Sequence, residues 1–305
     1  MIDYISFIKK NKLGVIYTDK SFKQLTTLKI GGNIKLLFYP STIENFIMFY
    51  KYYVSKNNNY NSNSKLNLIV IGNGSNILAS SKDYNGIVVC FKNIKYKYSL
   101  CNNILTTSSG VMIMDIINYL KKRNLGGFEK LSYIPATIGG MVKMNAGAYN
   151  TNISDNLLWV KIIDNNGKIK KLYKNDINFN YRTTNINGII LECCFYMNYI
   201  IEDSINRTIN FIKQNRKEKQ PIECYNAGST FKNINNIYIW KLIDDIGLRG
   251  YNINDAMVSN KHCNFLINRN NCHSDDMIEL IELIKNKVYN KYSINIECEW
   301  VFINF

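Results

Sequence analysis

The sequence predicts an α+β fold. Short β-type runs and amphipathic helical patterns mix along its 305 residues, without the strict strand–helix alternation of a doubly wound fold. Hydrophobic residues make up 46% and charged residues 20%, a balance that provides a sizeable core and excludes a wholly disordered chain. At roughly 150 residues per domain, the length predicts two domains, or three small ones.

The first third of the chain is predicted to consist of short strands and turns. Residues 65–71 form a β-type apolar run that ends in the glycine turn 72–76 (GNGSN). A second run covers 87–91, and the asparagine-rich stretch 57–64 is predicted to be a loop tip.

The middle of the chain combines a helix, a glycine-rich segment and a hairpin. A helix is predicted over 111–124, where apolar residues recur at helical spacing and two glycines follow as a stop signal. The glycine-rich stretch 134–149 comes next. Strands 159–163 and 169–173 flank the turn 165–167 (NNG) and predict a hairpin.

A change of pattern after the strand 191–199 predicts the main domain boundary. Residues 204–219 are predicted to form a helix that Pro221 stops, and a further helix is predicted over 239–246.

The C-terminal region is predicted to contain a long helix and a final strand. The helix covers 275–292, with Ser274 as its N-cap and acidic residues in its first turn. Its apolar stripe consists of Met277, Ile281, Ile284 and Val288. A terminal strand is predicted over 294–303, in which Glu297 and Glu299 point in the same direction.

The charge balance allows a polyanionic partner without requiring one. Lysine and arginine total 38 against 23 acidic residues, a net charge of +15, which attracts nucleic acid or phosphorylated small molecules. The lysines are scattered, and asparagine, isoleucine and tyrosine are also abundant. The composition of an AT-rich coding sequence is therefore favoured over a nucleic-acid-binding surface as the explanation, and no specific nucleic-acid partner is expected.

Cysteine usage and hydropathy favour a soluble cytoplasmic protein. Eight cysteines occur without a Cys-x-x-Cys pair, and a chain of this length needs no disulfides, so reduced thiols are expected. His262-Cys263 and Cys272-His273 resemble a metal site, but adjacent ligands are strained in tetrahedral geometry, so no metal is expected. No apolar run approaches the roughly 20 residues of a membrane span, and no secretory signal is present, so no membrane partner is expected.

Two glycine-rich loops are the first candidates for a binding site. The turn 72–76 follows a strand, and such a turn offers backbone N–H groups to a pyrophosphate with no Cβ in the way. It lacks the third glycine of the dinucleotide-binding fingerprint. Because glycine turns after strands are common, this signal is weak by itself. Together with the second loop, 134–149, it indicates a long ligand that lies across the backbone.

Several further motifs follow in a fixed order along essentially the whole chain. They are residues 26–32 (TTLKIGG), 71–78 (IGNGSNIL), 134–140 (IPATIGG), 144–149 (MNAGAY), 181–182 (YR), 226–233 (NAGSTFKN), 261–265 (KHCNF) and 297–299 (ECE). In this order they resemble the UDP-N-acetylenolpyruvoylglucosamine reductase family. The short span between Tyr181-Arg182 and Cys193 resembles the variant that lacks an extra tyrosine-bearing loop.

The resemblance implies a two-part FAD-binding domain of the PCMH/vanillyl-alcohol-oxidase type, with subdomains at 1–88 and 89–203. A C-terminal α+β substrate-binding domain is implied at 204–305, with its last strand returning to the flavin site. It implies FAD as cofactor, NADPH as hydride donor and a UDP-sugar as substrate, whose enolpyruvyl group is reduced to give UDP-N-acetylmuramate for peptidoglycan synthesis. A cytoplasmic enzyme is expected, with a monomer favoured.

The resemblance places Arg182, Ser229 and Glu299 at the family's catalytic positions. A guanidinium pairs with a carboxylate and keeps its charge, so Arg182 is expected to stabilise the developing negative charge, assisted by Glu299. A well-placed hydroxyl can protonate a strongly basic carbanion, which is the expected role of Ser229. By the residues alone, an ordinary ion pair, a turn serine and a solvated strand glutamate remain open, with Glu297 equivalent to Glu299.

The same resemblance supplies candidate binding residues. The candidates for FAD are Gly72, Asn73, Gly74, Ser75, Asn76, Pro135, Thr137, Gly139, Gly140, Asn145 and Gly147. The candidates for the substrate are Tyr181, Lys219, Asn233 and Lys261.

Three residues depart from the family pattern. Ala136 stands where a glycine is usual, and Ile234 and Cys298 stand where prolines are usual. None removes a catalytic group, so they bear on affinity and rate rather than on reaction type. Two alternatives stay open: a flavin oxidase of another substrate on the same fold, and a basic nucleic-acid-binding protein.

Overall fold

A computed structural model of the chain describes residues 1–58, 66–94, 98–235 and 237–305. Helices and antiparallel strands are mixed along the chain, which confirms the predicted α+β class. Most of the predicted loop tip 57–64 lies outside the described residues. The α-helices, numbered in chain order, are α1 (Ile2–Lys10), α2 (Phe22–Leu25), α3 (Ile43–Asn58), α4 (Ile113–Lys121), α5 (Ile138–Lys143), α6 (Glu202–Lys219), α7 (Ile239–Asp245) and α8 (Ser274–Tyr292).

The chain divides into two compact units that are interleaved along the sequence. Unit 1 consists of Met1–Thr18, Leu36–Asn73 and Asn85–Lys213. Unit 2 consists of Asp19–Lys35, Gly74–Tyr84 and Gln214–Phe305. The division into three consecutive domains at residues 88 and 203 stays a prediction.

A five-stranded antiparallel sheet forms the larger part of unit 1. Its strand order is Ile169–Tyr173, Leu157–Ile163, Ile189–Tyr196, Ile104–Ser108 and Tyr98–Cys101. One face packs on α4, α5 and the first half of α6 in a core built from aliphatic and aromatic side chains. The predicted hairpin is confirmed, and Gly167 takes the positive φ of +77° that its tight turn requires.

Two helices that were not predicted from the sequence pack against the second sheet of unit 1. Its strands are Gly14–Tyr17, Ile34–Pro40, Tyr84–Cys90 and Leu68–Ile71, the last pair being parallel. The expectation of strands and turns only was wrong here, because α1 and α3 pack their aromatic residues against this sheet. The apolar residues of α3 are nearly continuous, so their spacing does not separate a helix from a buried strand.

Unit 2 is built around α7, α8 and a small antiparallel sheet. The sheet order is Tyr225–Asn226, Leu266–Asn268, Ala256–Val258 and Asn252–Ile253. The predicted stripe of α8 is confirmed, since all four of its residues are buried in this core. Separately, Ile77–Ala79 pairs in parallel with the C-terminal strand Val301–Ile303.

Two details of the C-terminal region differ from the prediction. Ser274 is the first residue of α8, and the N-cap is His273, whose Nδ1 accepts the Asp275 N–H at 3.3 Å. The regular terminal strand is only Val301–Ile303, because the preceding residues bond to short, irregular segments instead of a continuous strand.

Among the described residues of unit 1, strands of two residues form three further pairs. They are Gly147–Ala148 with Thr151–Asn152, Phe179–Asn180 with Thr183–Thr184, and Leu125–Gly126 with Asn198–Tyr199. No helix in the part of the chain described is long and apolar enough to cross a membrane.

Candidate active site

The two glycine-rich loops meet in unit 1. Gly72 follows a strand, and a Cβ built on it would lie 2.2 Å from Oγ1 of Thr137. The Nδ2 of Asn73 donates to the carbonyl oxygen of Pro135 at 2.7 Å. Only glycine lets the backbone at position 72 lie this close to the Thr137 side chain, so the two loops fit together at this point.

The second loop is held by backbone bonds to the segment before α4. The N–H of Gly139 donates to Ser109 O at 2.8 Å, and a Cβ on Gly139 would lie 2.6 Å from the Ser109 Cβ. Thr137 is the N-cap of α5, with its Oγ1 accepting the Gly140 N–H at 3.4 Å. Small residues are therefore required where this backbone turns.

Arg182 lies at the tip of a hairpin with a two-residue turn. The strands Phe179–Asn180 and Thr183–Thr184 pair, and Arg182 adopts a φ of +58°, which few non-glycine residues do. Its Nη2 donates to Gly147 O at 2.7 Å, and its guanidinium lies 4.7 Å from the ring centroid of Tyr181. The turn, the bond and the cation–π contact together orient the charged group.

Asn145 joins this hairpin to the second loop. Its Nδ2 donates to Asn180 O at 3.0 Å, and only 6% of the residue is exposed. The Oδ1 of Asn145 has no hydrogen-bond partner among the described residues, and the same holds for the buried Oγ of Ser109. Unsatisfied buried polar atoms beside a glycine-lined loop are consistent with a polar ligand there.

The rest of the first loop belongs to unit 2 and bonds to the residues around Glu299. The Nδ2 of Asn76 donates to Glu299 O at 3.1 Å, and Val301 N–H donates to Asn76 O at 2.9 Å. The N–H of Thr27 donates to Gly74 O at 3.2 Å. Residues that are far apart in the sequence thus share one backbone network.

Ser229 lies in a segment that pairs with the segment of Glu299. The N–H of Glu299 donates to Thr230 O at 2.8 Å, next to a β-bridge between Phe231 and Cys298. Gly228 before it has a φ of +77°, and a Cβ built there would meet no atom within 4 Å. The half-buried Ser229 therefore follows a turn with open space beside it.

The structure distinguishes the two glutamates that the strand pattern left equivalent. The side chain of Glu297 is 77% exposed and pairs with Lys232 at 3.1 Å. Glu299 is half-buried and belongs to the network of Asn76 and Thr230. The predicted regular strand does not extend over this stretch, so the alternation of a strand does not determine the direction of the two side chains.

The four candidate substrate residues occupy different surroundings. Tyr181 is exposed beside Arg182, and Lys219 is exposed at the end of α6. Lys261 donates from Nζ to Lys217 O at 3.0 Å and pairs with a nearby glutamate. The Oδ1 of Asn233 accepts the first N–H of α7 at 3.1 Å, which gives Asn233 a structural role in the fold.

The three departures from the family pattern fit their positions. Ala136 has no positive φ, so a glycine is not required there. The N–H of Ile234 donates to Ile237 O at 3.2 Å, a bond that a proline could not make. Cys298 faces Phe231 in the β-bridge, and burial raises the pKa of its thiol to about 11, so the thiol is neutral near pH 7.

Thr27 and Asn264 also belong to this region, although neither was predicted as a site residue. The Oγ1 of Thr27 donates to Asn226 O at 2.7 Å, and the Asn264 side chain bonds to the backbone of Phe231. Each lies inside a motif of the ordered series, but nothing in the spacing marks it. Among the described residues, no group of three or more His, Cys, Asp or Glu side chains is placed to hold a metal ion.

Two family models match parts of the chain. Residues 52–173 match a family model described as an FAD binding domain. Residues 220–303 match one described as the C-terminal domain of UDP-N-acetylenolpyruvoylglucosamine reductase. The chain therefore combines a flavin-binding part with a part specific to this reductase.

Curated and solved relatives extend the match to nearly the whole chain. The reductase of Clostridium novyi (strain NT) is 36% identical over 280 residues, covering 91% of this chain and 88% of the relative. That of Orientia tsutsugamushi (strain Ikeda) is 36% identical over 291 residues, covering 92% of each. The crystal structure of the Thermus caldophilus enzyme superposes with a TM-score of 0.77 at 26% identity, over 95% of this chain and 100% of that one. The chain is thus a member of the UDP-N-acetylenolpyruvoylglucosamine reductase family, an FAD-binding oxidoreductase family.

Proposed function

We propose that this protein reduces the enolpyruvyl group of UDP-N-acetylglucosamine enolpyruvate to UDP-N-acetylmuramate, a peptidoglycan precursor, with NADPH as the electron source. The observation that carries the proposal is the bonding of the Ser229 segment to the Glu299 segment within a chain of this family. This bonding keeps the proposed proton donor, Ser229, near the acidic residue Glu299, and the reduction would need both at the substrate.

The residues that would hold FAD fit a flavin dinucleotide. Glycine at positions 72 and 139 lets the loop backbone lie close to Thr137 and Ser109, and glycine-rich turns of this kind suit a pyrophosphate. The unsatisfied Oδ1 of Asn145 offers an acceptor to a ligand N–H. When bound, FAD supplies the hydride chemistry, and the protein supplies placement and electrostatics.

Arg182 is suited to the carboxylate of the enolpyruvyl group. A guanidinium is a cation with paired donors whose fork matches the two oxygens of a carboxylate. One of these donors already bonds to Gly147 O, so the remaining ones are held in a defined direction. Charge that develops on the carboxylate and its adjoining carbon would be stabilised by this fixed cation.

Ser229 would deliver the proton, and Glu299 would orient the substrate. The serine follows an open glycine turn, where a substrate can approach its hydroxyl closely. A carbanion beside a carboxylate is basic enough to take a proton from a hydroxyl. Tyr181, Lys219, Asn233 and Lys261 remain the proposed substrate contacts.

Flavin spectroscopy tests the proposal in two steps. The purified protein is reconstituted with FAD, and its visible absorption is followed under anaerobic conditions. NADPH is expected to bleach the flavin, and the enolpyruvyl sugar is expected to restore its colour and yield UDP-N-acetylmuramate. A flavin that bleaches without recovering would contradict the proposed substrate and favour another acceptor on the same fold.

A further inference from the structure

Asn264 holds the two residues that follow Ser229. Its Oδ1 accepts the Phe231 N–H at 2.9 Å, and its Nδ2 donates to Phe231 O at 2.8 Å. Its own carbonyl oxygen accepts the Thr230 N–H at 2.8 Å. Asn264 is 3% exposed, so all three bonds are shielded from water.

The other side of the same segment bonds to the residues around Glu299. Thr230 O accepts the Glu299 N–H at 2.8 Å, and the Lys232 N–H donates to Glu297 O at 2.9 Å. A side-chain amide carries one donor group and one acceptor, as a peptide group does. The Asn264 amide therefore takes the place of a strand on the side opposite Glu299.

Asn264 is itself fixed by its neighbours. Its N–H donates to Nδ1 of His262 at 3.2 Å, which requires an imidazole with an unprotonated Nδ1. The Leu266 N–H donates to Oγ1 of Thr230 at 3.2 Å, so a second bond joins the two segments. The bond to His262 and the bond between Leu266 and Thr230 hold the backbone on both sides of Asn264. The side-chain amide of Asn264 therefore has little freedom to rotate.

We propose that Asn264 is a positioning residue for Ser229 and Glu299. By bonding both polar backbone groups of Phe231, it sets where the Ser229 segment meets the Glu299 segment. The proposal rests on the proposed function, because it assigns Asn264 to the step in which the sugar accepts hydride and a proton. Loss of the amide leaves buried Phe231 groups unsatisfied, so the segment is expected to shift.

Separate measurement of the two half-reactions tests the role. In Asn264→Ala and Asn264→Asp, the rate of flavin reoxidation by the enolpyruvyl sugar is expected to fall by about 10- to 100-fold, as a displacement near 1 Å would cause. The aspartate keeps an acceptor for the Phe231 N–H but places a second oxygen against Phe231 O, so its loss should be at least as large as that of alanine. Flavin reduction by NADPH should keep its wild-type rate. An equal fall in both half-reactions, or wild-type rates in both, would overturn the proposal.

A double variant separates positioning from general loosening. If Asn264 acts through Ser229, adding Asn264→Ala to Ser229→Ala should cause little further loss of reoxidation rate. Multiplicative losses would contradict the assignment. Ser274→Ala serves as a control for stability, because its buried Oγ accepts the Ser81 N–H at 2.9 Å at the start of α8, outside the Ser229 network.

Amide hydrogen exchange gives a readout that does not depend on activity. The amides of Thr230, Phe231 and Glu299 are expected to lose protection in Asn264→Ala, while those of α8 keep theirs. Unchanged protection at these three amides would overturn the positioning role. If the wild-type protein does not reduce the sugar, the proposed function fails, and the exchange result still decides whether Asn264 holds this segment.

Discussion

The Nη2 of Arg182 donates to the carbonyl oxygen of Gly147 at 2.7 Å, and this bond ties a hairpin tip to the second glycine loop. The φ of +58° at Arg182 is a conformation that surrounding bonds must maintain. Asn145 supplies one of them through Asn180 O. The second glycine loop thus also orients the guanidinium of Arg182.

Replacement of Arg182 by lysine should slow sugar reduction with little effect on flavin reduction. A lysine keeps the positive charge but cannot bond Gly147 O and a carboxylate through one planar group. We expect flavin reoxidation by the sugar to fall by about 100-fold or more, consistent with loss of a preorganised electrostatic contact. Stopped-flow measurement of both half-reactions provides the check, and wild-type reoxidation in Arg182→Lys would exclude the assigned role.

Substitution of Gly72 by alanine should weaken FAD binding. The new Cβ would lie 2.2 Å from Oγ1 of Thr137, so one of the two loops must move. Overpacking of this kind typically costs about 1–3 kcal/mol of stability. Flavin content per chain after gel filtration and the urea midpoint of the apoprotein are the measurements. Full flavin retention with a wild-type midpoint would show that the loop contact is unimportant.

The two C-terminal glutamates should differ in their effect on activity. Glu299→Gln is expected to lower the rate of sugar reduction, because Glu299 belongs to the segment paired with that of Ser229. Glu297→Gln is the matched control: its exposed pair with Lys232 contributes little energy, and we expect its turnover to match the wild type. Steady-state kinetics with the enolpyruvyl sugar compares them. Equal losses of turnover in the two variants would contradict a specific role for Glu299 in sugar reduction.

The half-buried imidazole of His262 should make stability depend on pH. Burial lowers the pKa of His262 below its ordinary value of 6.5. The unfolded chain therefore binds this proton more readily, so the free energy of unfolding falls as pH drops from about 6.5 toward the folded pKa. Above that window this contribution is constant.

Urea unfolding at pH 7.5 and 5.5 measures the effect of His262. The wild type should lose more stability between these values than His262→Gln, by at most about 1.4 kcal/mol per pH unit. The exposed His273 is present in both proteins and cancels in the comparison. Identical pH profiles for the two proteins would contradict a role for His262 in this dependence.

Local patterns predicted those parts of the fold in which neighbours in sequence are neighbours in space. The hairpin 157–173, helix α6 and the stripe of α8 were predicted from turn residues and helical periodicity. Helix α3 was missed because its apolar residues are nearly continuous, so that only packing against the sheet distinguishes the two conformations.

By itself, the sequence determined the fold class, the family and the glycine loops, because motifs and turns consist of residues that are close together in the sequence. Only the tertiary structure decided how exposed Glu297 and Glu299 are and which backbone groups Asn264 bonds. The bonds that decide these points join Thr230 to Glu299 and Phe231 to Asn264, across 69 and 33 positions. Side-chain spacing along one strand carries no information about which distant backbone will pair with it, and that pairing sets burial and direction.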